Sequence, residues 1–281
     1  MAEVIEVKSD APVVFRSDDD PIPRDRFGRP LIVPPDGGKP EPYMRATTLA
    51  KTLDDTYSLQ QWAKRSVLIG AGARPDLGVS AAMLAAKAAA GDRFAKKEID
   101  KLADAAMEVS GSSTKRNMGT VLHGLSERVD RGESMEGVPE ELLGDLREYY
   151  TATKDLEVLA IESFVVNDPL KTGGSFDRIV RYNGESFVFD LKTGNVTFAA
   201  GSIAIQLSVY AGGLLYNHDT AERSPLPDDL NPDVGIVAHL PQGEKRCQLY
   251  RVDLKSGREA IEHAMWVRGY RKRKDLFTEG L

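Results

Sequence analysis

Cys247 is the only cysteine in the 281-residue chain, and that scarcity excludes an intrachain disulfide and any zinc or iron-sulfur site built from four cysteines of one chain. A reducing compartment is the matching expectation. The start, MAEVIEVKSD, lacks the basic stretch and continuous apolar run of a signal peptide, and no later run approaches twenty apolar residues. A cytoplasmic protein without a membrane span is expected. A phosphate loop is missing as well: GAGARP at 70–75 has neither the lysine nor the hydroxyl residue of one, and between helical patterns it reads as a turn. There is no fixed-period repeat and no long heptad pattern. Excess positive charge is also lacking, because 37 Lys and Arg face 43 Asp and Glu for a formal net charge of -6. This excludes a basic coat for indiscriminate nucleic-acid binding, but not a local basic groove.

What is present, 41% hydrophobic and 28% charged residues, suits a soluble protein with a substantial core. Residues 1–45 hold eight of the fifteen prolines and read as an extended arm, with a short strand around 30–33. Residues 46–110 read as helical. Thr47 or Thr48 would cap a helix through about residue 69 carrying Leu49, Leu53, Leu59 and Trp62, and one or two alanine-rich helices would fill 79–109 despite Gly91. Residues 111–281 read as an α/β core. Helices are expected over about 115–131 and 139–153, and then three strands in LAIESFVVN, GGSFDRIVRYN and ESFVFDLKT, with Asn183-Gly184 as a hairpin turn. SIAIQLSVYAGGLLYN reads as a packed helix, PDVGIVAHL and CQLYRVDL as strands, and GREAIEHAMWVRGYRKRK as a final helix. The expected fold class is α/β, a central mixed sheet flanked by helices with a helical amino-terminal region.

Chemistry concentrates in MGTVLHGLSE (118–127), GGSFD ending at Asp177, FDLKTG (189–194) and QLSVY (206–210). An acidic residue two positions before a lysine is ordinary, and it recurs at Glu6 and Lys8 and at Asp253 and Lys255. Placement gives the pair at Asp190 and Lys192 its weight. Strand side chains repeat every two residues, so both point to one face, and the neighbouring hairpin strand brings Asp177 near enough to share a hard divalent cation with Asp190. Carboxylate oxygens suit Mg²⁺ or Mn²⁺, which would bind phosphate oxygens and lower the pKa of water, while Lys192 orients the nucleophile and offsets developing charge. His123 and Glu127, four residues apart, share a helix face toward the sheet. His123 would add a nitrogen ligand better matched to Mn²⁺ than to Mg²⁺, and Glu162 another carboxylate or a hold on water. Phosphodiester hydrolysis is the expected reaction.

In this order the pieces resemble the RecB-like branch of the PD-(D/E)XK nucleases, which also includes Cas4-like and phage exonucleases. The resemblance covers about 115–212: His123 in GTVLH, Asp177 in GSFD, Asp190 and Lys192 in DLK, and Gln206 and Tyr210 in QLSVY. It implies a restriction-endonuclease-like core, Mg²⁺- or Mn²⁺-dependent hydrolysis of DNA, often exonucleolytic, and Gln206 and Tyr210 near DNA and the catalytic centre. In a phage-encoded protein the setting would be the host cytoplasm. With one cysteine, no intrachain four-cysteine cluster can form, so a cluster-free nuclease is the nearest pattern. The arm and the alanine-rich helices lie outside the resemblance and are candidates for contact with a protein partner or a second copy.

Each residue also has a plainer reading: Asp190 and Lys192 as a structural ion pair, His123 as a hydrogen-bonded helix residue, Glu127 as a solvated face, and Tyr210 as packing. The runner-up function is an inactive nuclease-fold protein that binds DNA or serves phage assembly. Asp253 and Lys255 have no equivalent of GGSFD before them or QLSVY after them and read as a strand end. RGYRKRK, with five basic residues between Arg268 and Lys274, would follow a DNA backbone or simply end a helix in solvent.

Overall fold

Two strands, Thr172–Tyr182 and Glu185–Lys192, are joined through Asn183 and Gly184 at φ 52° and 83°, the left-handed pair that a two-residue hairpin requires. The structure, a computed structural model, describes residues 22–279. The first 21 residues of the expected arm lie outside the described residues.

The elements are β1 (Leu31–Ile32), β2 (Glu41–Pro42), β3 (Met44–Arg45), α1 (Ala46–Ala50) with a 3₁₀ turn at Lys51–Leu53, α2 (Tyr57–Ala73), α3 (Pro75–Ala89), α4 (Arg93–Val109), α5 (Ser112–Asp130) and α6 (Glu140–Thr153). Then come β4 (Glu157–Asn167), β5 (Thr172–Tyr182), β6 (Glu185–Lys192), α7 (Ala200–Ala211), β7 (Leu214–Tyr216), β8 (Arg223–Ser224), β9 (Val234–His239), β10 (Gln248–Asp253) and α8 (Leu254–Tyr270). The chain divides into two compact units, one of residues 1–54 with 122–281 and one of 55–121.

In the larger unit the sheet order is β10-β9-β6-β5-β4-β7-β8, with β3 parallel to the start of β5. The β6–β9 pair is parallel and the other neighbours along this path are antiparallel, which makes a mixed sheet. Helices cover both of its faces. Ile179 packs into a core with Ile203, Leu207 and Val209 of α7 and with Leu254 and Ile261 of α8, whereas the adjacent Arg178 is bonded to Ser126 and Asp130 of α5. Successive strand residues point to opposite faces, so α7 and α8 lie on one side of β5 and α5 on the other. Buried Asp145 of α6 accepts from Gly243 N (2.7 Å) and Lys245 N (2.9 Å), tying the β9–β10 turn to that helix.

In the smaller unit α4 packs on α2 and α3. A Cβ on Gly70 would lie 1.8 Å from the carbonyl oxygen of Ala106, so only glycine permits that approach. Gly91 at φ 93° separates α3 from α4, and Asp92 caps α4 by accepting from Phe94 N (2.8 Å) and Ala95 N (3.0 Å).

Four local expectations need correction. Neither Thr47 nor Thr48 caps the first helix, which opens at Ala46 behind Arg45 with no side-chain cap and holds both threonines inside it. The helix expected through residue 69 is broken at Asp54–Thr56, where Asp55 Oδ1 takes the Tyr57 amide at 2.9 Å in a turn. GAGARP is mostly helical: α2 runs through Ala73, and the chain breaks only at Arg74, ahead of a proline that opens α3. The helix expected through Asn217 stops at Ala211, and Leu214–Tyr216 instead forms β7 against β4. Gly213 permits that change, since a Cβ there would meet Val166 O at 2.9 Å. Asp253 is both the strand end expected and the cap of α8, accepting from Ser256 N at 3.1 Å and Ser256 Oγ at 2.6 Å. Among the described residues no single helix is long and apolar enough to cross a membrane.

Candidate active site

Asp177 lies where the β5–β6 ladder ends. Toward β4, Ile161 pairs with Arg178 and Ser163 with Phe176 in one continuous register, and Glu162, opposite Asp177 between these pairs, adopts φ 48°. A left-handed glutamate in a strand costs about 1–3 kcal/mol and concentrates at functional sites. Toward β6 the pairing ends at Arg178 and Phe189. Beyond it the Leu191 amide donates to the side chain of Asp177, at 2.7 Å to Oδ2. The strands therefore part at Asp177 and Asp190, and β6 continues instead along β9, with Lys192 in register with His239.

His123 Nδ1 reaches the same Asp177 oxygen at 3.4 Å. It does so because α5 is bolted to β5 from beneath. Arg178, fully buried, donates from Nε to Asp130 Oδ2 (2.6 Å) and from Nη2 to Ser126 Oγ (2.7 Å), and the Tyr149 hydroxyl of α6 donates to Asp130 Oδ2 at 3.0 Å. His123, Ser126 and Asp130 follow one another at helical spacing, so the bonds to Arg178 fix the turn that carries the histidine. Burial depresses the His123 pKa, against the pull of Asp177, and favours the neutral imidazole that ligates metals. Glu127 on the same helix is committed to Arg131 at 3.0 Å.

Asp190 is buried, and Lys192 Nζ stands 2.6 Å from its Oδ2. That ammonium is the one partner of Oδ2 among the described residues. Burial, reinforced by the charge of Asp177, pushes the Asp190 carboxyl up to about 7. Burial and the charges of Asp177, Glu127 and Asp190 likewise push Glu162 up to about 7. Lys192 moves the opposite way in effect: burial would lower it, but Asp190 and Asp177 together outweigh that and hold the ammonium charged. Two cations, Lys192 and Arg178, thus offset the charge on Asp190, and Arg178 that on Glu162.

On α7, Gln206 Nε2 donates to the Tyr210 hydroxyl at 3.0 Å. Tyr210 is buried against Gly174, where a Cβ would meet its ring at 3.1 Å and its hydroxyl at 3.2 Å. The glycine ahead of SFD makes room for the tyrosine. Burial raises the Tyr210 pKa, with Asp190, Asp177 and Glu162 adding to it, so the hydroxyl stays protonated beside them.

The structure brings together His123 with Asp177, and Asp190 with Lys192, and it sets Glu162 opposite Asp177 and Tyr210 within their field. Among the described residues no three His, Cys, Asp or Glu side chains form a closed group for a metal ion. The Arg178–Asp130–Ser126–Tyr149 network and the left-handed Glu162 escape sequence reading. An arginine inside the apolar run FDRIV is the one signal of the first, and nothing in the sequence marks the second. No protein-family model matches the chain, and a search of curated proteins returns no significant match.

Proposed function

We propose that the chain is a divalent-metal-dependent deoxyribonuclease, an exonuclease of the RecB-like PD-(D/E)XK type acting in phage or bacterial DNA processing. The observation that supports this reading is the end of the β5–β6 ladder beside Asp177, where His123 and the Leu191 amide meet its carboxylate and Glu162 stands opposite it on β4. The donor set fits a hard cation: Lys192 at 2.6 Å is the one partner of buried Asp190 Oδ2 among the described residues, and burial together with the charge of Asp177 raises both Glu162 and Asp190, a cost that a dication would relieve. His123, Asp177, Asp190 and Glu162 would hold Mg²⁺ or Mn²⁺. When bound, such an ion supplies Lewis acidity toward phosphoryl oxygens and neutralises charge on a polyanionic substrate.

The chain's own residues supply the rest. Lys192, kept protonated by two carboxylates, offsets charge that develops on a phosphate and orients the attacking water. The Leu191 amide and His123 fix the rotamer of Asp177, and Tyr210, steadied by Gln206, offers a hydroxyl donor to a phosphate oxygen. The ion pair between Lys192 and Asp190 and the absence of a closed ligand group among the described residues favour a second reading, a nuclease-fold protein that binds DNA or assembles with a partner without turnover.

Cleavage of end-labelled linear duplex with Mg²⁺ or Mn²⁺, its loss in EDTA, and its loss in an Asp190→Ala protein with an unchanged circular dichroism spectrum are expected. Undiminished cleavage by Asp190→Ala refutes this centre. Stoichiometric DNA binding with no turnover in any divalent ion selects the second reading. Protection of covalently closed circles separates exonuclease from endonuclease action.

A further inference from the structure

The last helix carries an aromatic pair that the catalytic centre does not use. Trp266 and Tyr270, one turn apart on α8, stack with ring centroids 5.2 Å apart and planes 14° from parallel. They cover little: Trp266 is 66% exposed and Tyr270 45%. From Trp266 to Lys274 the sequence WVRGYRKRK contains five cations and no acid. Arg268 leans on Thr52 and Arg273 is occupied by Asp275, but Arg271, Lys272 and Lys274 are exposed and form no ion pair among the described residues. Glu262 and Glu259, one and two turns before Trp266, confine the positive field to the carboxyl-terminal end of the helix.

A bland origin explains only part of this. Cations in a last helical turn complement the helix dipole, and one or two suffice for that. An i,i+4 aromatic pair stabilises a helix slightly, yet it leaves a large apolar surface in water. A second copy of the chain is a poor occupant, because a two-fold contact through this patch would bring Arg271, Lys272 and Lys274 against their own counterparts. A flat, near-parallel π surface beside unpaired cations has the chemistry of a strand whose bases are free to stack and whose phosphates alternate with them.

We infer that the carboxyl-terminal end of α8 is a binding platform for single-stranded nucleic acid, with bases extending the Trp266–Tyr270 stack and phosphates meeting Arg271, Lys272 and Lys274. It deepens the nuclease reading, and the two fail separately because binding is measured without divalent metal. The full chain is titrated in EDTA against a fluorescein-labelled twenty-nucleotide oligo(dT) and followed by anisotropy. Trp266→Ala is expected to weaken binding about tenfold and Trp266→Phe much less. The triple variant Arg271→Ala, Lys272→Ala, Lys274→Ala should flatten the salt dependence by about 2 in the log-log slope. Blunt duplex of the same length should lose little affinity on Trp266→Ala.

Trp62 is the only other tryptophan, so in a Trp62→Phe protein the oligonucleotide should quench Trp266 emission. This second readout needs no aromatic deletion to fold. Unchanged oligo(dT) affinity in Trp266→Ala, or unquenched Trp266 emission at saturating oligonucleotide, overturns the platform whatever the catalytic result. Concentration-dependent self-association lost in Trp266→Ala, with oligonucleotide binding intact, overturns it in favour of a protein contact. Binding that depends on Trp266 in a protein without nuclease activity leaves the platform standing and removes the enzyme.

Discussion

His123 Nδ1 and the Leu191 amide converge on one oxygen of Asp177, at 3.4 Å and 2.7 Å. A helix and a neighbouring strand thus meet on a single carboxylate, and the side chain of Asp177 does work that the β5–β6 backbone ladder has given up.

A neutral imidazole beside that carboxylate predicts a metal preference. Imidazole suits Mn²⁺ better than Mg²⁺, so His123→Ala should lower the Mn²⁺-supported rate more than the Mg²⁺-supported one. Initial rates across a titration of each ion give the ratio. An unchanged Mn²⁺-to-Mg²⁺ ratio removes His123 from the ligand set.

The raised carboxyls predict how stability varies with pH. Glu162 and Asp190 hold their protons more tightly in the folded chain than in the unfolded one, with folded values near 7 against ordinary values of 4.5 and 3.8. The folded state therefore loses stability as pH rises from about 4 to 7 and levels off above that. Glu162→Gln should recover part of the loss, on the order of 1–2 kcal/mol at pH 8 after solvent screening. In EDTA this appears as a Tm gain of a few degrees at pH 8 that shrinks toward pH 5. Parallel Tm-versus-pH curves for the two proteins would contradict the crowding.

Metal should take over the same role. Millimolar Mn²⁺ is expected to raise the Tm of the wild-type chain at pH 8, since a ligand that binds only the folded state stabilises it by mass action. EDTA should reverse the shift, and Asp190→Ala should show none. Differential scanning calorimetry with and without Mn²⁺ decides it.

The Arg178 network predicts an asymmetry between breaking and replacing. Arg178→Ala strands buried Asp130 without its cation and should cost about 3–5 kcal/mol in urea unfolding, whereas Arg178→Met with Asp130→Leu should cost well under the sum of the two single changes. Additive costs would mean that the two residues do not act as a unit.

Two glycines of α8 should behave in opposite ways. A Cβ on Gly257 would lie 2.2 Å from Ser208 Oγ and 2.4 Å from Ala204 O, while one on Gly269 would meet nothing within 4 Å. Gly257→Ala should destabilise by about 2–4 kcal/mol, because backbone at that distance must move. Gly269→Ala should be neutral or stabilise by up to about 1 kcal/mol. Chemical denaturation of both variants checks the contrast.

Much of the layout was legible because it rests on local chemistry. Asn183-Gly184 can turn a hairpin and little else, and the short β-branched and aromatic run in ESFVFDLK, buried on both faces, reads as a strand. That placed Asp177, Asp190 and Lys192 side by side from sequence alone. What stayed hidden depends on partners distant in the chain. Whether Leu214–Tyr216 continues α7 or leaves it is decided by the edge of β4, 48 residues earlier at Val166. Arg178 could be placed on its strand but not given a purpose, because Asp130 lies 48 positions before it and Tyr149 29. The left-handed backbone at Glu162 lies opposite Asp177 across the β4–β5 ladder, and no single strand's pattern contains it.

The close contact at Gly257 fixes more than stability. It locks α8 against α7 two residues from Gln206, and the helix then runs a further thirteen residues, about 20 Å, to Tyr270. Under the proposed nuclease and platform, a strand held at both ends would be gauged against a rigid ruler rather than a tether, and the spacing between the two would set a threshold of substrate length.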